Sequence, residues 1–176
     1  MSAEQIHQFR VDKDAFFRQH PNSPLTAEQK VVFDGLRYFE YNPDLVFTLK
    51  PEPVAGDETV QIMTTTNEIR IYRRHGRVTF RVDDTDASLT IYETPHGFFL
   101  PFVDTNDETY GAGRYLDLEP EADGSFHIDF NLAYNPLCVY NDRYSCPLTP
   151  VENRLTVPIR AGEKLLLLNG GNSNPV

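Results

Sequence analysis

The spacing of apolar residues changes once along the chain, after Asn42-Pro43, and this change limits the fold more than any other feature of the sequence. Before that point, apolar residues recur about every 3.6 residues, as in a helix. After it they alternate about every second residue, in short runs separated by polar turn residues, as in half-buried strands. The predicted strands are 45–49, 59–63, 69–73, 78–82, 88–92, 98–103, 114–118, 126–130, 155–159 and 164–168.

About ten short strands with no helical crossover between them predict a mainly β fold, either an antiparallel barrel or a two-sheet sandwich. They argue against a parallel sheet, whose strands need long crossover connections. The length of 176 residues fits one domain, and no segment has the length of a linker. We therefore predict a single domain, 1–176, with a helical N-terminal cover at 1–35 and an antiparallel β domain at 44–168.

Two capping patterns predict two N-terminal helices. Ser2 with Gln5 opens the first helix, which ends before Pro21, and Thr26 with Gln29 opens a shorter second one. We expect both helices to cover one end of the sheet, with their aromatic rings in the core. Their apolar side chains are Ile6, Phe9, Phe16 and Phe17 in the first helix and Val31, Val32 and Phe33 in the second, which Gly35 terminates.

The net charge of −10 and the pI near 4.9 argue against a nucleic acid or an anionic membrane as partner, because both attract a positive face. The densest basic run, 70–77, alternates along a predicted strand, which is typical of a solvated sheet edge. We therefore predict no nucleic-acid partner and no membrane partner.

The N-terminal segment 1–17 carries acidic residues and glutamines where a secretion signal would have basic residues and an apolar run. No stretch approaches the roughly 20 apolar residues of a membrane helix. We therefore expect a cytoplasmic protein. In that compartment Cys138 and Cys146 are expected to be reduced thiols and not a disulfide.

The segment 129–153 holds both cysteines of the chain, together with four asparagines, three prolines and several tyrosines. It overlaps a predicted loop, 131–154, that is far longer than the turns between most of the later strands. Long irregular connections in compact domains are usually functional or disordered, and the apolar and aromatic content disfavours disorder. Asparagine and proline also fix turns, so we assign about half of the asparagines to backbone capping. This segment is the richest candidate for a functional site.

Three kinds of reaction site remain open at this segment. A metal site would draw on Cys138, Cys146, Asp129 and His127, but the seven residues between the cysteines do not match common zinc sites. Cysteine catalysis would need a thiol whose pKa is lowered, and no nucleophile signature surrounds either thiol. Acid–base chemistry would need two carboxylates at one cleft, and Asp129 and Glu152 flank the segment. The plainer alternatives are structural thiols and carboxylates that accept hydrogen bonds from the loop or pair with arginines.

Arg114 follows Gly111-Ala112-Gly113, where the backbone can approach a ligand while the guanidinium clamps an anion. The alternative is a buried ion pair with Asp129 or Glu152. A lone Gly-x-Gly lacks the third glycine of a dinucleotide fingerprint, and the Walker pattern is absent. The tyrosines expected to offer ring faces and hydroxyls are Tyr115, Tyr134, Tyr140 and Tyr144.

The second half of the chain contains a series of distinctive blocks: Tyr110-Gly111-Ala112-Gly113-Arg114-Tyr115-Leu116, Asp129-Phe130-Asn131, Ala133-Tyr134-Asn135-Pro136, Cys138, Tyr140-Asn141, Tyr144-Ser145-Cys146-Pro147, Glu152-Asn153-Arg154-Leu155 and Ile159-Arg160-Ala161-Gly162-Glu163-Lys164. With these blocks the chain resembles the bacterial and archaeal family known as domain of unknown function 1684. The resemblance extends back to 16–18 and 35–39, so it covers nearly the whole chain. It implies no activity, substrate or catalytic residue, but it places the family's signature at the candidate site.

We predict that the chain binds a small polar or anionic molecule at the 129–153 loop and Arg114. The alternatives are a structural or interaction protein whose loop plugs the barrel, and a flavin- or metal-dependent redox enzyme, which rests on fold analogy alone. The sequence assigns no catalytic residue, cofactor, metal ligand or oligomeric state. The predicted ligand-binding residues are Arg114, Tyr115, Asp129, Asn131, Tyr134, Asn135, Cys138, Asn141, Tyr144, Cys146, Glu152 and Asn153.

Overall fold

The computed structural model of the chain describes residues 1–56 and 58–166. Their strands form two antiparallel sheets, one with five strands in the order β2-β3-β4-β5-β6 and one in which β1 pairs with β7. The strands are β1 (Val46–Leu49), β2 (Thr59–Met63), β3 (Ile69–Val82), β4 (Thr85–Thr94), β5 (Gly97–Phe102), β6 (Arg114–Leu118) and β7 (Phe126–Asp129).

The main core lies between the two sheets, where alternate residues of each strand point inward. Rings from both sheets meet there, and the Phe80 ring lies 5.2 Å from Phe47 and 5.3 Å from Phe130. Both sheets are open in the part of the chain that the structure describes. A mainly β fold is therefore confirmed, and of the two predicted architectures the sandwich fits.

The described residues form seven strands, against the ten that were predicted. Segments 69–73 and 78–82 belong to one strand, β3, which continues through a β-bulge between Arg74 and Gly76. A Cβ atom at Gly76 would lie 2.6 Å from Cβ of Pro51, so the bulge forms where another segment crosses closely. The prediction of a strand at 155–159 is wrong. The alternating apolar residues of this segment pack on the core, but the segment does not join a sheet. Of the strand predicted at 164–168, residues 164–166 are not in a strand and the rest lies outside the described residues.

The two predicted helices are confirmed as α1 (Ala3–Gln19) and α2 (Ala27–Val32), and both begin with the predicted capping boxes. In α1 the prediction of the buried face was only partly right, because Phe9 and Phe16 are 39% and 41% exposed. The stripe that faces the protein consists of Ile6, Arg10, Lys13 and Phe17, which follow one another at helical spacing. Two cations therefore occupy the inner face of the helix.

Helix α2 contributes little apolar surface to the core, since Val31 is 86% exposed and Val32 is also exposed. The aromatic residue that follows, Phe33, is buried beside Phe17 and Tyr140. The helical region thus packs on the long loop, to which Tyr140 belongs, as well as beside the sheets. Neither helix of the described residues has the length and apolar character needed to span a membrane.

The second face of the five-stranded sheet carries a smaller, aromatic core of Ile62, Tyr72, Tyr92, Phe99 and Tyr115. The long loop crosses this face and contains three short 3-10 turns, Phe130–Leu132, Leu137–Val139 and Val151–Asn153. It therefore covers the outside of one sheet and does not plug a barrel.

Candidate functional site

Buried and half-buried asparagines tie the long loop to the rest of the fold. Asn153 is fully buried, accepts a hydrogen bond from the Thr90 backbone N–H (2.8 Å), and donates to the carbonyls of Thr90 (2.9 Å) and Pro101 (2.7 Å). The amide of Asn131 exchanges two hydrogen bonds with the backbone of Asn42, at 2.8 and 2.9 Å. Asn141 donates to the Pro24 carbonyl at 3.3 Å. The hydrogen bonds of these side chains thus connect the loop to neighbouring segments, in place of the backbone hydrogen bonds that connect strands.

Arg114 is fully buried and forms an ion pair with Asp104, not with Asp129 or Glu152 as the alternative prediction had it. Its Nη2 lies 2.6 Å from Asp104 Oδ2 and 2.8 Å from the Ile159 carbonyl. Nη1 donates to the carbonyls of Ala161 and Glu163. Burial lowers the pKa of Arg114, and Asp104 opposes that shift. The guanidinium thus holds segment 159–163 against β6.

Asp129 and Glu152 belong to separate clusters. Asp129 caps the 3-10 turn that follows it, accepts two hydrogen bonds from Asn131, and lies 3.4 Å from the terminal amino group of Met1. Glu152 accepts hydrogen bonds from Arg74 and from the Tyr92 hydroxyl. Burial acts to raise the pKa of Glu152, but these bonds outweigh it and the pKa is lowered. The two carboxylates do not share the hydrogen-bonded cleft that acid–base catalysis needs.

A buried polar cluster lies beneath α1, around Glu163. We use the name Glu163 cluster for Glu163, Arg10, Lys13, Tyr38 and Asn135. The Glu163 carboxylate accepts from the backbone N–H of Asn135 at 2.7 Å and pairs with Lys13 Nζ at 2.6 Å. It also accepts from the hydroxyl of Tyr140 at 3.1 Å. The negative charge of Glu163 is thus balanced within the cluster.

Several donors in and beside this cluster are buried without a hydrogen-bond partner among the described residues. They are Nε and Nη2 of Arg10, the hydroxyl of Tyr38, and Nε of Arg114. Two acceptor atoms of the cluster are in the same state, Oδ1 of Asn135 and Oε1 of Glu163, and the second of these is ion-paired with Lys13. The Arg10 guanidinium stacks 4.5 Å from the Tyr38 ring centroid and donates through Nη1 to the Phe39 carbonyl. Within the described residues it forms no salt bridge, and burial lowers its pKa.

A surface cleft of about 420 Å³ lies beside the Glu163 cluster. Tyr38 belongs to both, and the cleft residue Lys164 follows Glu163 and receives a hydrogen bond from Asn135 at its carbonyl, at 2.9 Å. Lys164 Nζ pairs with Glu108 at 2.6 Å on the cleft wall. The cleft is lined by Arg37, Tyr38, Asp107, Glu108, Lys164 and Leu165.

The two cysteines are neighbours in the middle part of the long loop, and both are free thiols. The backbone N–H of Cys138 donates to Cys146 Sγ at 3.3 Å. A hydrogen bond from the Cys138 thiol is the main reason that the pKa of Cys146 falls to about 7, with backbone N–H groups and Arg70 adding to the effect. The same hydrogen bond raises the pKa of Cys138. Hydrogen bonds of the Cys146 backbone to Thr65 hold the pair against the end of β2.

The residues considered for a metal site do not come together. His127 is exposed and lies 3.5 Å from the Thr48 hydroxyl, whereas the thiols lie beside Thr65 and Asp129 contacts the N-terminus. Across 1–56 and 58–166 no group of three or more His, Cys, Asp or Glu side chains is placed to hold a metal ion.

Comparison with known proteins identifies the family. The family described as "Protein of unknown function (DUF1684)" matches residues 31–164. The chain belongs to this family. A similar structure is that of an uncharacterized protein of Haloarcula marismortui, determined by NMR in solution, which is 33% identical, with a TM-score of 0.64 and 92% of each chain covered. No curated protein matches the chain significantly.

In this DUF1684 member the predicted site residues fall into three groups. Asn135 belongs to the Glu163 cluster, Arg114 donates to the Glu163 carbonyl, and Tyr134 lies beside the cluster, with its ring centroid 5.1 Å from Lys13 Nζ. Cys138 and Cys146 form the thiol pair. The others lie apart in contacts of their own: Tyr115 donates to the Pro147 carbonyl, Tyr144 accepts from Arg143, and Asp129, Asn131, Asn141, Glu152 and Asn153 make the contacts given above.

Sequence reasoning missed Arg10, Lys13, Tyr38 and Glu163. A signal for the first two was present, because they follow Ile6 and precede Phe17 at the spacing of a buried helical stripe. Cations at such positions indicate a buried acidic partner or an anionic ligand. Glu163 lay within a quoted family block but had no sequence context that pointed to burial.

Proposed function

We propose that the protein binds a small molecule that carries a carboxylate or phosphate group, at the Glu163 cluster and the adjoining cleft. Arg10 and Tyr38 are the residues that hold the anionic group. This keeps the predicted class of ligand but moves the contacts from Arg114 and the middle of the loop to the inner face of α1.

The observation that carries the proposal is the free edge of Arg10. Nε and Nη2 lie on one side of the guanidinium, and together they form the fork that binds a carboxylate or phosphate with two hydrogen bonds. Leaving a buried donor without a partner costs about 1 to 3 kcal/mol, so a ligand that satisfies these atoms recovers that free energy on binding.

The balance of donors and acceptors sets the chemistry of the ligand. Among the described residues, four buried donor atoms of this region lack a hydrogen-bond partner, against two acceptor atoms, Oδ1 of Asn135 and Oε1 of Glu163. Lys13 already pairs with Glu163 Oε1, so the ligand must be rich in acceptors. Lys13 neutralises Glu163, and Arg114 is paired with Asp104. Arg10 is the cation of this region whose charge a ligand would balance.

Thermal unfolding with small anions tests this proposal. Inorganic phosphate, acetate and succinate are compared with sodium chloride at equal ionic strength. At least one of them should raise the melting temperature with saturation, because binding to the native state alone stabilises it by about 2.7 kcal/mol at 100 times Kd. If none exceeds the chloride baseline at millimolar concentration, the proposal is wrong.

Variants of α1 locate the binding. Arg10→Lys keeps the charge but removes the bidentate edge, so affinity for the stabilising anion should fall about tenfold or more. Arg18→Lys, at the exposed end of the same helix, is the matched control and should leave affinity unchanged. Tyr38→Phe should weaken binding without lowering stability in the absence of ligand, because the lost hydroxyl has no partner there. Equal affinities of the Arg10 and Arg18 variants would place the anion elsewhere.

A further inference from the structure

Cys138 and Cys146 lie close together, and hydrogen bonds fix the backbone around both of them. Neither feature is needed to pack two small side chains in a loop. The sulfur of Cys146 accepts a hydrogen bond from the backbone N–H of Cys138 at 3.3 Å and another from the Cys138 thiol, so the two sulfurs already face each other. Both backbones are anchored nearby, since Cys146 exchanges hydrogen bonds with Thr65 at 2.9 and 3.1 Å and Cys138 lies in the 3-10 turn Leu137–Val139. A disulfide bond would therefore link two ends of the segment 138–146 that the fold already holds close together.

We propose that Cys138 and Cys146 are a reversible dithiol–disulfide pair that a small hydroperoxide, such as hydrogen peroxide, oxidises. This site is separate from the anion site proposed above, and no residue of the Glu163 cluster takes part in it.

Cys146 is the thiol that attacks the peroxide. Its sulfur accepts hydrogen bonds from the thiol and backbone N–H of Cys138, and both stabilise the thiolate. The positive charge of Arg70, which donates to the Ser145 carbonyl at 2.9 Å, adds to this stabilisation. With a pKa of about 7, Cys146 is substantially ionised at neutral pH, whereas the pKa of Cys138 is raised.

The reaction proceeds in two balanced steps. The Cys146 thiolate attacks one peroxide oxygen, the O–O bond breaks, and the departing alkoxide or hydroxide takes a proton, which leaves a sulfenic acid on Cys146. The Cys138 sulfur then attacks Cys146 Sγ and displaces hydroxide, which leaves as water with the Cys138 proton. In sum, two thiols and one hydroperoxide give one disulfide, one alcohol or water, and one water.

The two cysteines differ in exposure, and this difference favours a small oxidant at Cys146 and allows a larger reductant at Cys138. Cys146 is only 6% exposed, so its sulfur is shielded from an oxidant as large as a protein disulfide. Cys138 is more exposed, so a thiol reductant attacks its sulfur in the disulfide. Cys146 then leaves as the thiol of lower pKa, which favours this direction of cleavage.

Oxidation of the whole protein with equimolar hydrogen peroxide tests the proposal. The intact mass should fall by two hydrogen atoms, a peptide map should join Cys138 to Cys146, and dithiothreitol should restore the mass. Oxidation to sulfinic acid, or disulfides only between molecules, would overturn the proposal. This readout on the unchanged chain does not depend on whether any variant folds.

Serine variants assign the two roles. Cys138→Ser retains a hydroxyl donor for Cys146, so its remaining thiol should form a sulfenic acid that dimedone traps. Cys146→Ser should react at least about tenfold more slowly at neutral pH, because the thiol it keeps is mostly protonated. Circular dichroism checks that both variants fold. If the Cys146→Ser thiol reacts as fast as that of Cys138→Ser, the assignment is wrong.

The pH dependence of the oxidation rate distinguishes activation of Cys146 by Cys138 from a reaction that depends only on how exposed the thiol is. The rate of sulfenic acid formation in Cys138→Ser should rise with pH, with a midpoint near 7, and then level off, because only the thiolate reacts. In Cys138→Ala the side-chain donor is missing, so the midpoint should move to higher pH. Identical midpoints in the two variants would show that the Cys138 side chain does not activate Cys146.

Discussion

Replacement of Arg114 by methionine is expected to lower the free energy of unfolding by about 3 to 5 kcal/mol, because it leaves a charge buried without its partner. The side chains of Asp104 and Arg114 are each 1% exposed, so water cannot replace the lost hydrogen bonds. The carbonyls of Ile159, Ala161 and Glu163 lose a donor as well. Denaturation in urea, monitored by circular dichroism, measures the change.

Arg81→Met is the matched control, since Arg81 lies on the surface, its ion pairs with the Asp84 and Asp86 carboxylates are 3.9 and 4.0 Å long, and its hydrogen bond to the Asp84 carbonyl is exposed. Exposed pairs of this kind contribute about 0 to 1 kcal/mol. The double variant Arg114→Met with Asp104→Asn removes both charges and should recover part of the lost stability. If Arg114→Met lowers the free energy of unfolding no more than Arg81→Met does, the ion pair of Arg114 with Asp104 does not stabilise the fold as its burial indicates.

Asn153→Ala is expected to cost about 3 kcal/mol, because three buried hydrogen bonds join this side chain to two strands of the larger sheet. The change leaves the Thr90 N–H and the carbonyls of Thr90 and Pro101 without that partner. The melting temperature and the urea midpoint should both fall. The measurement also tests whether the long loop depends on this link to stay on the sheet.

Asn141→Ala is the control within the same loop, because that amide makes one longer hydrogen bond, 3.3 Å, at a half-buried site, and accepts one from the Arg143 backbone. Its cost should stay near 1 kcal/mol. A second comparison is Asn153→Asp, which keeps the acceptor but turns a carboxylate toward two carbonyls and should therefore cost more than Asn141→Ala. Equal stability of the Asn141 and Asn153 variants would contradict the proposed structural link.

The sequence by itself determined the class of fold and the starts of the helices. Alternation with period 2 requires one buried face for each strand, so a chain of such strands closes its core by placing one sheet on another. The capping boxes at Ser2 and Thr26 involve residues three positions apart, and such contacts follow from local sequence alone. Segment 155–159 shows the limit, since its alternation reflects burial without pairing.

Tertiary structure alone decided what the polar residues of the candidate sites contact. Asp104 is ten residues from Arg114, Asn153 reaches strands 63 and 52 residues away, and Glu163 lies far along the chain from Lys13. Residue types and spacing cannot select among several equally suitable acids or carbonyls, because the choice depends on which segments the packed core brings together. For the same reason the sequence could not show that Arg10 faces inward, where Nε and Nη2 of its guanidinium are buried without a hydrogen-bond partner among the described residues.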